Sequence, residues 1–495
     1  MEEASAGHRS THAELHAELG RVLRDRGYSQ RNLTTVLGIS PDLAVDPDQE
    51  PLAARRAAVD GSPLAALAEL LVLGREVECE RVRAALAPLE LEPMLEASLV
   101  SEGERRVRAT VRILPYEDLL LASDLPNAHA GSEEVTAPGP SARTLVSLTV
   151  HRRVRTALDL GSGGGVQGLL LARHADRVVL SDVSEHAREV AELNASLNGV
   201  DNAELRTGDW FEPVAGERFD IVAANLPYVV SPDVAYVHRD NPLERDELSR
   251  WVVGRVGEHL TQGGLAHVLC SWVHGRDEQW ARAPLAWVGE TGCDALILHY
   301  ASHEPLEYAA AWNRPLQRRD HAAFEATIDR WLDYYAEVGI ERIASGAIVL
   351  RRRASGRAWQ RPVEVPDAPT GFAGAHVERL FAAQDELGAL AGPEALLGER
   401  LRPAPGQRLD QAMLYRDGGY VPDAALMRRQ PGIGVAARVD PRVMPVVVGC
   451  DGTQTLGDLI KRATQGLGSR ERVELATLCF ATVRTAFELG LFERG

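Results

Sequence analysis

Residues 156–168 read TALDLGSGGGVQG: an apolar run that ends on an acid, crosses a cluster of glycines and opens a helical pattern. Few short stretches restrict a fold so strongly. A buried strand has to turn sharply there and bring its backbone against whatever is bound, and residues without a Cβ allow both. Asp159, Gly161, Gly163 and Gly165 give the spacing D-x-G-x-G-x-G, with Ser162 inside the turn. The dinucleotide fingerprint G-x-G-x-x-G would need glycine where Val166 stands, so the spacing suits S-adenosylmethionine better than a nicotinamide. An isolated glycine turn is commonly only a turn, so later strand ends must supply partners.

They do so three times. The next strand-like run, RVVLSD, ends in Asp182 followed by Val183, at the separation expected of an acid that accepts both hydroxyls of a ribose. A third run ends in GDWF, where Asp209 can accept from an adenine amino group and Trp210 offers an indole plane and a backbone N–H. The fourth, FDIVAAN, enters Asn225-Leu226-Pro227-Tyr228. Methylating an amide or amino nitrogen requires its lone pair to face the methyl group in line with the leaving sulfur. The Asn225 side-chain oxygen and the Leu226 carbonyl can each accept one N–H of such a target, Pro227 stiffens the loop, and Tyr228 can pack on a planar amide or base.

With these motifs the sequence resembles class I S-adenosylmethionine-dependent methyltransferases, and within them the protein-(glutamine N5) methyltransferases that act on peptide-chain release factors. Their strand-four motif is N-P-P-Y, preceded by D-W-F. The resemblance implies that Asp159, Gly161, Ser162, Gly163, Gly165, Asp182, Val183, Asp209, Trp210 and Asn225 bind the cofactor. It assigns Asn225, Leu226, Pro227 and Tyr228 to the acceptor nitrogen. The match runs over residues 157–272. Leu226 replaces the family's first proline and gives the N-L-P-Y form that resembles ribosomal RNA adenine dimethyltransferases. Since that position contributes only its carbonyl, leucine keeps the hydrogen bond.

Strand and helix patterns alternate from Thr156 to Arg353, which predicts an α/β, Rossmann-like, mainly parallel seven-stranded sheet covered on both faces. Its expected strands are TALDL, RVVLSD, AELRTGD, FDIVAAN, LAHVLCSW, CDALILHY and RIASGAIVLRR, and two long helices separate the last two. The full reading is a helical N-terminal domain over 1–104, a β-containing connector over 105–145, the methyltransferase domain over 146–361 and a C-terminal α+β domain over 362–495. The loop Ala130–Ser141 is placed to close over the ligand. Val363–Thr370 reads as a proline-bearing linker. Near the C-terminus, VMPVVVG as a strand, a D-G turn at 451–452, a Thr-capped helix and a final helix suggest a winged-helix-like module.

A net charge of −17 argues against a general basic field for long nucleic acid. The run Arg351, Arg352, Arg353, Arg357 and Arg361 still keeps an RNA base acceptor open beside the favoured protein or peptide amide. A small-molecule acceptor and a non-catalytic binding protein also stay open. The five cysteines are dispersed, no His/Cys cluster has zinc spacing, and no signal or membrane-spanning run stands out. Reduced cysteines and a cytoplasmic location are expected.

Overall fold

A computed structural model describes residues 2–45, 48–125, 133–233 and 243–495, with side chains from residue 12 onward. The first residues of the expected Ala130–Ser141 loop, 130–132, lie outside the described residues. The chain divides into two compact units. One comprises residues 1–143, 153–297 and 302–361, and the other 144–152, 298–301 and 362–495.

Eight strands form the main sheet: β1 (Val154–Leu160), β2 (Ala175–Asp182), β3 (Ala203–Thr207), β4 (Phe219–Ala224), β5 (Leu260–His274), β6 (Asp294–His303), β7 (Arg342–Arg351) and β8 (Gln360–Glu364). They lie in the order β8-β6-β7-β5-β4-β1-β2-β3. Neighbours from β5 through β3 are parallel, and β7 runs antiparallel to β5. The last four residues of both β1 and β4 are buried without interruption, as expected for central parallel strands covered on two sides. All seven expected strands are present, so the α/β reading holds and the count is corrected to eight. The extra strand lies in residues that read partly as linker, because Pro362 and the short apolar run hid it. A proline is tolerated on an edge strand, where one face of the backbone has no partner to bond.

Strand order reverses between β1 and β4, which opens a crevice beyond their carboxyl ends. The glycine turn leaves β1 at that point and Asn225 follows β4 directly.

In the same unit the N-terminal part contributes helices Glu2–Asp25, Gln30–Leu37, Glu50–Asp60, Pro63–Leu71, Cys79–Leu86 and Leu91–Glu96. An antiparallel hairpin, Val111–Tyr116 with Leu119–Asp124, follows them. These helices share a core with Leu193 and Leu197 of helix Glu185–Leu197. Arg24 fastens the contact by donating to the Leu197 carbonyl at 3.1 Å and to Asn198 Oδ1 at 2.7 Å. Between β6 and β7, helices Pro305–Arg319 and His321–Glu337 pack on Val229 and Val230, the residues that leave the Asn225 motif. Tyr335 donates to the Val230 carbonyl at 2.8 Å, and the Val230 N–H donates to the Tyr308 hydroxyl at 3.3 Å.

Arg351, Arg352 and Arg353, at and just after the end of β7, make structural contacts. Asp294 is fully buried and receives Arg351 at 2.6 Å and Arg353 at 2.9 Å. Arg352 donates to the carbonyls of Gly257, Glu258 and Leu260. Removing one partner of a buried ion pair strands the other charge, so Asp294→Ala is expected to cost about 3–5 kcal/mol. Thermal unfolding of this unit measures it.

The second unit contains helix Gly374–Gly388, the sheet Gln407–Arg416, Gly419–Arg429 and Ala436–Val439, helices Met444–Gly449, Leu456–Ala463 and Ser469–Glu488, and the pair Leu401–Pro403 with Phe492–Arg494. His376 is buried, accepts from the Ile433 N–H at 3.3 Å on Nδ1 and donates from Nε2 to the Leu489 carbonyl at 2.8 Å. Burial lowers its pKa to about 4, which suits this neutral tautomer. The strand expected at VMPVVVG is instead a helix, Met444–Gly449. Asp440 caps the preceding turn by accepting the Arg442 N–H, and Pro441 and Pro445 start the helical turns with a fixed φ, which outweighs the valines' preference for strand. Asp451 and Gly452 lie in a bend, with Gly452 at φ +87°, and Thr455 caps helix Leu456–Ala463 as expected; a separate D-G pair, Asp417–Gly418, makes the hairpin turn of the sheet.

Candidate active site

One cavity of about 550 Å³ opens at the carboxyl ends of β1, β2 and β4. Of the residues singled out from sequence, Gly161, Ser162, Gly163, Asp182, Val183, Asp209, Trp210, Asn225, Leu226 and Pro227 line it. Asp159, Gly165 and Tyr228 do not. Asp159 is buried beneath the turn and accepts the Gly168 N–H at 2.8 Å. Gly165 begins helix Val166–Leu171 with its Cα packed toward Leu180. The Tyr228 ring makes a T-shaped pair with Trp312 at 6.4 Å, and burial lifts its hydroxyl pKa to about 12.

Two glycines of the turn have different reasons to be glycine. Gly161 has φ +68°, and a Cβ there would lie 2.6 Å from Leu226 Cδ2, so the turn and the Asn225 motif are packed against each other. Gly163, at φ +50°, would point a Cβ into open space, which leaves its backbone free to face a ligand. Asp182 orders the turn by accepting the Gly163 N–H at 2.8 Å on one oxygen and the Ser184 N–H at 3.0 Å on the other. Each carboxylate oxygen retains accepting capacity, as a ribose diol requires. Trp210 holds a left-handed backbone, φ +46°, at the bend after β3.

The Asn225 amide Nδ2 donates to Ser141 Oγ at 3.3 Å, and Asn225, Leu226 and Pro227 form part of the cavity wall. A glycine turn, an acid at the end of β2 and an asparagine at the end of β4 therefore face one volume. Residues 138–240, which span all three, match the family described as methyltransferase small domain. That match takes in β1, β2 and β4 with the turns that leave them. Residues 25–110 match a second family, described as a domain of unknown function (DUF7059).

Among curated proteins, the chain is 35% identical over 108 residues to the release factor glutamine methyltransferase of Xylella fastidiosa, covering 21% of this chain and 39% of that one. It is 31% identical over 155 residues to the ribosomal protein uL3 glutamine methyltransferase of Bradyrhizobium diazoefficiens, covering 27% and 47%. With the release factor glutamine methyltransferase of Bordetella pertussis it shares 30% identity over 181 residues, 32% of this chain and 64% of that one. The chain thus spans less than two thirds of the length of these relatives.

The methyltransferase domain fits S-adenosylmethionine on its own geometry. The cavity has the volume of a small-ligand site, combines apolar walls with a few fixed acceptors, and presents a glycine backbone where a ligand would approach. Burial, with a like-charge contribution from Asp182, pushes the Asp159 carboxyl up to about 7, and burial raises Asp182 as well.

For Asp159 the folded pKa exceeds the ordinary value of 3.8, so its contribution to stability is complete below that value and is lost as pH rises through about 7. Asp159→Asn keeps an acceptor for the Gly168 N–H. The ligand-free variant is expected to melt above the parent at alkaline pH and level with it near pH 4, as thermal unfolding across pH will show.

Several lining residues carry no sequence signature of their own. Glu133–Gly139 line the cavity within the loop expected to close over it, and Leu121 and Ala122 come from the connector hairpin. The base of that loop is closed by Asp124 and Val135, which exchange backbone and side-chain hydrogen bonds at 2.9 and 2.8 Å, while His186 lies 3.0 Å from the Asp124 carboxylate. Two asparagines hold the hairpin. Asn194 accepts the Ala122 N–H and donates to the Ala122 and Gly164 carbonyls at 3.0 and 2.9 Å, and Asn198 pairs likewise with Leu120. The available signal was a pair of asparagines four apart beside Leu193 and Leu197, polar groups on a helix face that has to be buried.

Proposed function

We propose that the chain is an S-adenosylmethionine-dependent N-methyltransferase whose acceptor is a side-chain amide nitrogen of a protein, glutamine by preference. The observation that carries this reading is the sharing of one cavity by the Asp182 and glycine-turn end and by Asn225 and Leu226. The names of the curated relatives, glutamine methyltransferases of release factors and of ribosomal protein uL3, favour the amide.

Asp182 receives the ribose hydroxyls, Asp209 and Trp210 border the adenine end, and the turn backbone lies along the remainder. The cofactor supplies a methyl group on a sulfonium centre. The protein's work is alignment: Asn225 Oδ1 and the Leu226 carbonyl accept the N–H groups of the acceptor amide and turn its nitrogen toward the cofactor end of the cavity. Leu226, buried against Gly161, fixes the distance between the two ends. Closing walls from Glu133–Gly139 and the connector exclude water and strengthen these polar contacts.

The experiment is transfer from methyl-labelled S-adenosylmethionine to purified release factor, ribosomal protein uL3 and total RNA, with the labelled atom mapped by mass spectrometry. Label on a glutamine side-chain nitrogen supports the proposal, and label confined to RNA overturns it. The arginine run that favoured RNA is engaged with Asp294 and backbone carbonyls through Arg351, Arg352 and Arg353.

A further inference from the structure

We propose that the hairpin of the second unit is a self-association surface: its outer strand, Gln407–Arg416, pairs antiparallel with the same strand of a second copy of this chain.

Only the base of the hairpin is covered. Its inner strand, Gly419–Arg429, pairs with Ala436–Val439 over residues 425–428 alone, and the outer strand ends the sheet. Residues 411–423 are exposed throughout. Met413 lies opposite Pro422 and Tyr415 opposite Tyr420 on one face, and Leu414 lies opposite Val421 on the other. Apolar side chains therefore meet water on both faces, with Tyr415 at 62% and Tyr420 at 72% exposure. A free two-stranded hairpin is marginal in water, and pairing between two copies makes a sheet of four strands.

The two open edges are not alike. Asp417 and Gly418 hold positive φ, +49° and +84°, the two-residue turn that makes Arg416 and Gly419 a hydrogen-bonded pair. Bonding alternates from there, so Leu409, Gln411, Met413 and Tyr415 turn their N–H and C=O groups to the outer edge. No strand bonds that edge among the described residues. The open edge of the inner strand is blocked twice. Pro422 brings no N–H to it, and Asp423 and Ala424 together oppose Ala412 in a bulge. Prolines and bulges are the devices that stop sheet edges from pairing, and the outer strand has neither.

The outer strand is also complementary to itself. A two-fold axis at Met413 sets Asp410 of each copy opposite Arg416 of the other, at non-hydrogen-bonded positions where side chains lie closest. It also brings Arg408 against the Asp417–Gly418 turn. Arg416 makes no ion pair within the chain among the described residues. Asp410 accepts from Arg408 at 2.5 Å and Arg428 at 2.8 Å, and its two oxygens retain capacity for a third donor. An axis at Ala412 would oppose Arg408 and Arg416, two like charges. The arginines of the hairpin are interspersed with Asp410, Asp417 and Asp423, which leaves no basic field for a nucleic acid.

The test is sedimentation of the full chain between about 1 and 100 µM, with thermal unfolding as the check on folding. Edge pairing buries less than a standard interface of about 1,600 Å², so a dimer dissociating at roughly 1–50 µM is expected. Met413→Pro removes an outward N–H and none of the hairpin's own bonds, and should stay monomeric while unfolding near the parent temperature. Arg416→Asp, which opposes two acids, should weaken the dimer roughly tenfold or more and decides the matter if the proline variant does not fold. Tyr420→Ser removes the most exposed ring but leaves the outer edge intact, and should dimerise like the parent. A parent that is monomeric at about 100 µM overturns the proposal. So does parent-like dimerisation of a folded Met413→Pro or of Arg416→Asp, and so does loss of the dimer in Tyr420→Ser, which would mean association through the faces. A monomeric parent that binds total RNA, with binding lost in Arg416→Asp, assigns the hairpin to RNA and overturns it as well.

Discussion

Asn225→Ala is expected to lower methyl transfer by roughly 10³-fold while affinity for S-adenosylhomocysteine changes by less than about threefold. The separation follows from where the side chain sits. Asn225 forms the wall at the end of β4, whereas the strongest polar anchor for a nucleoside, Asp182, stands at the end of β2. Truncation removes an acceptor for the substrate N–H and leaves the glycine turn intact. The effect should fall on kcat and on kcat/KM alike, because alignment matters only as the nitrogen approaches the methyl carbon. Steady-state kinetics together with calorimetry of the same preparation measure both quantities. Near-normal turnover would show that another group orients the acceptor.

The second large effect is expected at the opposite end. Asp182→Ala removes two charge-assisted acceptors for a ribose diol, each worth about 1.5–3 kcal/mol, so affinity for S-adenosylmethionine should fall by roughly 10²-fold or more. Asp182→Asn should lose less, since one amide oxygen can still accept. The alanine variant also frees the Gly163 and Ser184 N–H groups that the carboxylate now holds at 2.8 and 3.0 Å. Part of the loss therefore comes from a less ordered turn. Titration calorimetry reads the affinity directly, and parent-like binding by Asp182→Ala would move the nucleoside away from this acid.

The sheet was legible in the sequence because its signal is local. Central strands such as Ala157–Leu160 are short apolar runs, and the acids and glycines that end them mark the turns where a ligand has to fit. The eighth strand was hidden because a proline inside Gln360–Glu364 argues against a strand unless its edge position is known, and pairing alone reveals that. Met444–Gly449 misled in the opposite direction: valines favour strand, but Asp440, Pro441 and Pro445 favour a helical start, and a six-residue run carries too little periodicity to settle the choice.

At the site, residues within one motif could be read together, whereas contacts between distant segments could not. Nothing in the composition around Asn194 or Ser141 says that the first reaches the connector hairpin and the second Asn225, since these bonds span 72 and 84 residues. Nor does the N-L-P-Y motif say that the Tyr228 ring packs against Trp312, which lies between β6 and β7.

The most direct test of the central claim is a crystal structure of the chain with S-adenosylhomocysteine. It should show the ribose hydroxyls on Asp182, the nucleoside along the Gly161–Gly163 backbone and the sulfur on the side of the cavity walled by Asn225. A nucleoside seated outside this cavity, or a sulfur turned away from Asn225, would contradict it.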